Sequence, residues 1–335
     1  MHSSDTVQRK GKNRFLLAAI SLAVLLATFF GFLSHRQPSY QNRTVNSWLK
    51  QVYDTKRSQP EALDALNKMG ADAVPPLIEA LAKTDSSVDR LYRRIYIQMP
   101  AGIRRVLPMP VEADTLRCAA QGALLNNKHT REFMPELVRC LKEGNSKTRL
   151  YAAGVVADWI RAEDTFCIPT LIEVLNDRDA QVRDYAAHAL STFGPTAKAA
   201  TPALEERLTD TSAQVRITAA MALSAIDAHT ATRTIPVLKE AMTNGDSRIR
   251  HWAAVYLSNI DPVDRGTIPV FISSLTNQDR GIRISAAYSL LRYGPGPEAK
   301  DAAPGLVEAL NDSDAEVRKA ARMALERIAA HGQDH

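Results

Sequence analysis

From about residue 130 onward, apolar and polar positions return in one fixed arrangement. Pro135, Pro169, Pro202, Pro236, Pro269 and Pro304 step by 34, 33, 34, 33 and 35 residues. An arginine follows each proline by 14 positions: Arg149, Arg183, Arg216, Arg250, Arg283 and Arg318. Two and six places after the proline stand apolar residues, such as Leu171 and Leu175, that share one helix face at i, i+4. The proline belongs in the first turn of this helix A, where its missing N–H costs nothing. A polar turn such as Asn311-Asp312-Ser313-Asp314 then ends helix A and caps a helix B. Helix B buries a second stripe, Val182, Ala186 and Leu190 in one copy, and its paired alanines let helices approach closely. One such hairpin cannot bury both faces alone. The copies must stack, which predicts an all-α fold, an α-solenoid of helical hairpins.

A different pattern stands near the N-terminus, where Phe15–Leu33 holds no charged residue. As a helix these residues would span about 28 Å, close to the ~30 Å hydrocarbon core of a bilayer. Arg9, Lys10, Lys12 and Arg14 precede the run, and only Arg36 follows it closely. That asymmetry predicts a cytoplasmic N-terminus and export of everything after Leu33. A cleaved signal peptide is the competing reading; it needs a shorter apolar region ending at a small-x-small site. The end of this run offers only Phe32 before Ser34 and Phe29 before Gly31, while Ser21-x-Ala23 would leave ten apolar residues behind. The expected organisation is therefore a cytoplasmic N-terminus (1–14), a transmembrane signal anchor (15–33), a polar tether (34–46) and a solenoid (47–335). The protein is expected in the cytoplasmic (inner) membrane as a single-pass protein, its solenoid periplasmic or extracellular.

The first repeat departs from the pattern. Pro75, Pro76, Leu77, Ile78 and Leu81 begin a helix A, yet the matching Arg117 comes 42 residues after Pro75. The additional residues fall at about 88–113, broken by Pro100, Pro108 and Pro110. Arg90, Arg93, Arg94, Arg104 and Arg105 there interleave with Tyr92, Tyr96 and Met99. One reading is a loop that docks on a membrane surface or an acidic partner. The preferred reading is an elaborated end cap over the first repeat's apolar edge, shared with a helix around Trp48, Leu49, Val52 and Tyr53.

The order of proline, acidic turn residue and arginine resembles the HEAT-repeat family, especially its short bacterial form, the PBS-lyase HEAT-like repeat. The resemblance covers roughly residues 60–330, and the chain also looks like membrane-anchored HEAT proteins of bacteria. It implies a ladder in which an Asp of the A–B turn and the Arg of helix B stack between repeats. The matching pairs are Asp177/Arg183, Asp210/Arg216 and Asp312/Arg318, with Arg117, Arg149, Arg250 and Arg283 completing the set. Asn244, Asn277 and Glu143 depart from Asp, so the ladder is imperfect. Family members mostly bind proteins, through variable surfaces.

Charge and composition narrow the chemistry. The net charge is +5, but five basic residues against Asp5 within the first 36 positions supply most of it. No basic face remains for a nucleic acid. HExxH, CxxC, GxSxG and GxGxxG are absent, so no catalytic, cofactor or metal site is expected. His188 and His251 lie on one equivalent face two repeats apart, roughly 20 Å, too far for one metal. Cys140 and Cys167 lie too far apart for a disulfide; on spacing alone a Cys118–Cys140 pair stays open.

Helical arithmetic locates an expected binding face. At about 100° per residue, positions one, five and eight after each arginine point away from the Val–Ala–Leu stripe. In the middle copies these are apolar: Ile217, Met221, Val255, Ile284, Tyr288 and Leu291, with His251 among them. A contiguous apolar patch marks an interaction site, which predicts a groove for an apolar peptide or partner helix. The function expected is a non-catalytic, membrane-tethered scaffold binding a protein or peptide partner through its helix-B face. The alternatives are a purely structural envelope protein and a bilin lyase-like enzyme.

Overall fold

The computed structural model describes residues 38–52, 59–104, 106–107, 109–293 and 301–329. The expected anchor at 15–33, the N-terminus before it, Tyr53 and Arg105 lie outside the described residues. Among the described residues no helix is long and apolar enough to cross a membrane. They hold eighteen α-helices and one small hairpin, in two compact units, one up to Glu136 and one from Leu137.

Unit one opens on structure where the sequence suggests a tether. Strands β1 (Ser39–Tyr40) and β2 (Arg43–Thr44) pair antiparallel around Gln41 and Asn42, both at positive φ (51° and 59°). A two-residue turn with both residues left-handed matches the right-handed twist of its strands. The hairpin is held by Trp48, whose indole N–H donates to the Tyr40 carbonyl at 3.2 Å and whose ring lies 4.9 Å from the Arg43 guanidinium. Helix α1 (Val45–Val52) buries Val45, Trp48, Leu49 and Val52 at i, i+3, i+4, i+7. It packs with α2 (Gln59–Lys68) and with the first A–B pair, α3 (Val74–Ala82) and α6 (Ala113–Asn126).

Between α3 and α6 the insertion forms α4 (Ser87–Gln98) and α5 (Ala101–Arg104). Ser86 and Asp89 close a reciprocal capping box on α4. Yet neither α4 nor α5 buries a single residue. The insertion is therefore not the expected cap over the apolar edge; α1 and α2, with Trp48 wholly covered, occupy that position.

Unit two is the regular array. Its A helices are α7 (Met134–Glu143, within which the unit boundary falls), α9 (Ile168–Val174), α11 (Thr201–Arg207), α13 (Ala228–Asn244), α15 (Ile268–Ser274) and α17 (Ala303–Ala309). Its B helices are α8 (Ser146–Trp159), α10 (Ala180–Ser191), α12 (Ala213–Ile226), α14 (Ser247–Ile260), α16 (Arg280–Tyr293) and α18 (Ala315–Ala329). Pro169, Pro202, Pro269 and Pro304 stand in the first turn of their helices. Pro236 does not: Asp227 caps α13 by accepting from the His229 amide, and the helix starts eight residues before the proline. Each B helix packs beside the next, α8 on α10, α10 on α12, α12 on α14, α14 on α16 and α16 on α18. The alanine pairs Ala186-Ala187, Ala219-Ala220, Ala253-Ala254 and Ala286-Ala287 are buried at these approaches.

Candidate functional site

The arginines after each turn do two things. Each donates to a carbonyl of its own turn, and some also reach the aspartate of the following repeat. Arg183 donates to the Asp177 carbonyl at 2.8 Å and, through Nε and Nη2, to both carboxylate oxygens of Asp210 at 2.8 and 2.6 Å. Arg149 reaches Asp177 at 2.5 Å, and Arg283 reaches Asp312 at 2.8 and 3.2 Å. These rungs run from one repeat to the next, as a ladder stacked between repeats implies, each arginine reaching forward to the aspartate of the following turn. Within a repeat the bond goes to the aspartate's backbone carbonyl: Arg216 to Asp210 at 2.8 Å and Arg318 to Asp312 at 2.7 Å. Arg117 in unit one is buried against Asp114 and the Lys83 carbonyl.

The kind of turn and the residue that begins it together decide which rungs close. In the first kind, the side chain of Asp177, Asp210, Asn277 or Asp312 accepts from the amide two residues on. In the second, helix A runs into a glycine, and Asn145 or Asp246 caps helix B directly. A Cβ on Gly144 would stand 2.4 Å from the Cys140 carbonyl, and one on Gly245 2.4 Å from Ile249 Cγ2. No side chain fits there. By repeat register, the turn that follows Arg216 is the glycine type at Gly245, and the turn that follows Arg250 begins on Asn277 instead of an aspartate. Among the described residues, Arg216 and Arg250 bond only to carbonyls of their own turns.

Burial alone would raise the carboxyls of Asp177 and Asp210. The arginine and amide hydrogen bonds outweigh it and hold both below the usual carboxylate range. Asp312 is held low chiefly by Arg283.

The expected groove residues divide. Ile217 and His251 are fully buried, so neither can touch a partner. Ile217 belongs to a cluster with Leu238, Ala241, Ile249 and Leu257. Val255, Ile284, Tyr288 and Leu291 are half-buried and rest against the core formed by Phe271, Leu290 and Leu306. The Tyr288 hydroxyl donates to Glu316 at 2.5 Å. The physical reason is lateral: a B helix in a stack has another B helix on each side, so the position just after the arginine faces a neighbour.

The accessible positions of the B helices lie mostly two, five and nine residues after the arginine, although Thr218 and Ala320 at the second position and Gly154 at the fifth are buried. Asp158, Thr192, Ala225, Asn259 and Arg292, at the ninth position, are all exposed. The second position holds the half-buried aromatics Tyr151, Tyr185 and Trp252, which helical arithmetic on a single helix passed over. Aromatic recurrence at that position was the available signal. Trp252 stacks on Tyr256 (centroids 6.2 Å apart, 27° between planes). Burial, then Asp184, pushes the Tyr256 hydroxyl up to about 12. Burial and the nearby Asp184 and Asp158 raise Tyr185 as well. This face therefore combines aromatic rings with the half-buried Met221, Val255 and Tyr288.

Other perturbed groups are packing residues. No disulfide joins the three cysteines, which removes the Cys118–Cys140 alternative, and burial raises Cys167 to about 12. Neither ring nitrogen of His251 has a hydrogen-bond partner among the described residues. The ring sits edge-on between Trp252 and Phe271 (5.3 and 5.8 Å), and burial lowers it to about 4.

Comparison with known proteins fits this repeat geometry. The HEAT repeats model matches residues 134–224, 168–258, 201–292 and 262–326, and the PBS lyase HEAT-like repeat matches 61–83. No curated protein matches the chain. Among solved structures, an engineered protein is 26% identical over 59% of this chain and 98% of its own (TM-score 0.44). A second engineered protein is 23% identical over 85% and 78% (TM-score 0.43). The complex of CpcE and CpcF of phycocyanin lyase from Nostoc sp. PCC7120 is 18% identical over 82% and 98% (TM-score 0.46). Likenesses at these TM-scores carry no functional inference. With overlapping matches from 134 to 326, more than half of its length, the chain belongs to the HEAT-repeat family.

Proposed function

We propose that the protein is a non-catalytic scaffold, tethered to the membrane by residues 15–33, that holds a protein or peptide partner on its helix-B face. The observation that carries this reading is the row of half-buried aromatic and apolar side chains on successive repeats: Tyr151, Tyr185, Met221, Trp252, Val255 and Tyr288. Aromatic residues and methionine are enriched at protein interfaces because they bring large contact area at small entropic cost. Ile217 and His251, being buried, act beneath this surface and not on it. The perturbed groups Cys167, His251 and Tyr256 owe their shifts first to burial, which suits packing better than acid–base work. The repeat matched at 61–83 shares its name with a lyase, and pigment-dependent colour on mixing with a linear tetrapyrrole would favour that activity instead.

The test uses a photocrosslinker in the full chain in native membranes. Placed at Val255 it should give a discrete adduct, and placed at the exposed helix-A position Ser273 it should not. Trp252→Glu should abolish the adduct while leaving the melting temperature within a few degrees. Equal labelling from both positions, or an adduct indifferent to Trp252→Glu, overturns the proposal.

A further inference from the structure

The insertion in unit one has no task in the scaffold reading. Of the eleven large apolar side chains exposed among the described residues, seven lie between Val88 and Met109. On α4, Val88, Leu91 and Ile95 are 67%, 55% and 44% exposed. At about 100° per residue, Leu91, Ile95, Val88, Tyr92 and Tyr96 fill one continuous arc of about 140°. Arg93, Arg90 and Arg94 occupy the opposite side, with Ile97 the one apolar residue among them.

The helix is held but not covered. Arg93 donates twice to Asp85 (2.9 and 2.7 Å), and Asp85 accepts from the Ala113 amide at 3.1 Å. The Tyr96 hydroxyl donates to the Arg104 carbonyl at 3.0 Å, drawing α4 onto α5. A helix fixed at both ends, with its apolar arc turned to solvent, exposes that arc at a standing cost. An occupant would remove it.

Charge and reach identify the occupant. Between Val88 and Ala113 five arginines stand against Asp89 and Glu112. A helix with an apolar arc, tyrosines at the arc's edge and arginines opposite is the kind that lies in the interface plane of an anionic bilayer. The reach rests on the anchor reading given above: from Leu33 to Ser39 the chain can extend at most about 20 Å. Unit one, which carries α4, is thereby kept near the surface. We propose that α4 and α5, with Val106 and Met109 beyond them, form a docking element for anionic phospholipid, with the Leu91–Ile95–Val88 arc seated among the headgroups.

The experiment incorporates full-length Leu91→Trp protein into vesicles with brominated acyl chains, of phosphatidylcholine alone or mixed with phosphatidylglycerol. The tryptophan introduced at position 91 should be quenched in mixed vesicles well beyond the unsubstituted protein, and beyond a Val263→Trp control. High salt, or Arg94→Glu with Arg104→Glu, should weaken docking by roughly tenfold or more. These side chains are exposed, so melting should be unchanged. Quenching no greater than in the control, or protection of position 91 only in membranes containing other proteins, overturns the proposal. Flotation with phosphatidylcholine alone reports the anchor separately. A chain that floats without quenching keeps the anchor and loses the docking. One that is quenched on mixed vesicles without floating on neutral ones does the reverse.

Discussion

The first two rungs of the array and the middle two use the same arginine to different effect. Arg149 and Arg183 close onto Asp177 and Asp210 of the next repeat, whereas Arg216 and Arg250 end on carbonyls of their own turns. The difference is not in the arginines but in what the following turn presents. A turn that begins on aspartate supplies one carboxylate to its own backbone and to the preceding repeat together. A glycine-type turn caps its helix as well but has nothing to extend backwards. The lesson is that capping and inter-repeat linkage are separable functions of one turn position. Arg283 and Asp312 restore the linkage beyond the open stretch.

Breaking a closed rung should have the largest effect. Arg183 and Asp210 have side chains only 10% and 4% exposed, so Arg183→Ala leaves a buried carboxylate with only the more distant Arg207, 3.9 Å away, as its cation. Such losses cost about 3–5 kcal/mol, or roughly 10 °C in melting temperature for an array of this size. Arg216→Ala removes only bonds to carbonyls and should cost about 1 kcal/mol. Thermal and urea unfolding of the two variants checks the contrast. Equal losses would mean that the rungs carry no more than the turn bonds do.

Acid should single out the open stretch, through His251 next to Arg250. The unfolded histidine takes its proton near pH 6.5; the folded one takes it only near 4, because burial among Trp252 and Phe271 outweighs the attraction of Asp279. Stability from this group is thus complete above about pH 6.5 and is lost as pH falls toward 4. At about 1.4 kcal/mol per pH unit the loss approaches 3 kcal/mol. The rung carboxylates, held low, give way only at more acid pH. Urea titrations at pH 7.5, 5.5 and 4.5 should show this slope in the wild type and a flatter one in His251→Leu. An unchanged slope in the variant removes His251 as its source.

Spacing along the chain made the repeats, their helices and most ladder members legible, because proline, aspartate and arginine act through local turn geometry. It left the partner of each rung unassigned, since the aspartate and arginine positions of one repeat do not say which neighbouring repeat supplies the other half. The groove was misjudged at Ile217 and His251 for a related reason. A wheel drawn on one helix knows a single buried side, and these helices have neighbours on three. Pro236 misled in the opposite way: its spacing implied a helix start, and the Asp227 cap nine residues earlier overrode it.

The smallest expected effect sharpens the comparison most, because it would close an open rung by one atom. Asn277 already makes the turn bond of its class, accepting from the Asp279 amide at 2.9 Å, as Asp177 does from Asp179 at 2.9 Å. Its carboxamide differs from aspartate in charge and not in shape, and Arg250 stands one repeat before it as Arg149 stands before Asp177. Asn277→Asp should therefore keep the turn and supply the missing anion, adding about 0.5–1 kcal/mol at neutral pH for a partly exposed pair. Because the gain is an ion pair, it should shrink in high salt and vanish in the Arg250→Ala background, where the double-mutant cycle isolates the coupling. A gain that persists without Arg250 would place the effect in helix capping, and no gain at all would mean that the middle repeats are spaced too far apart for a rung to form.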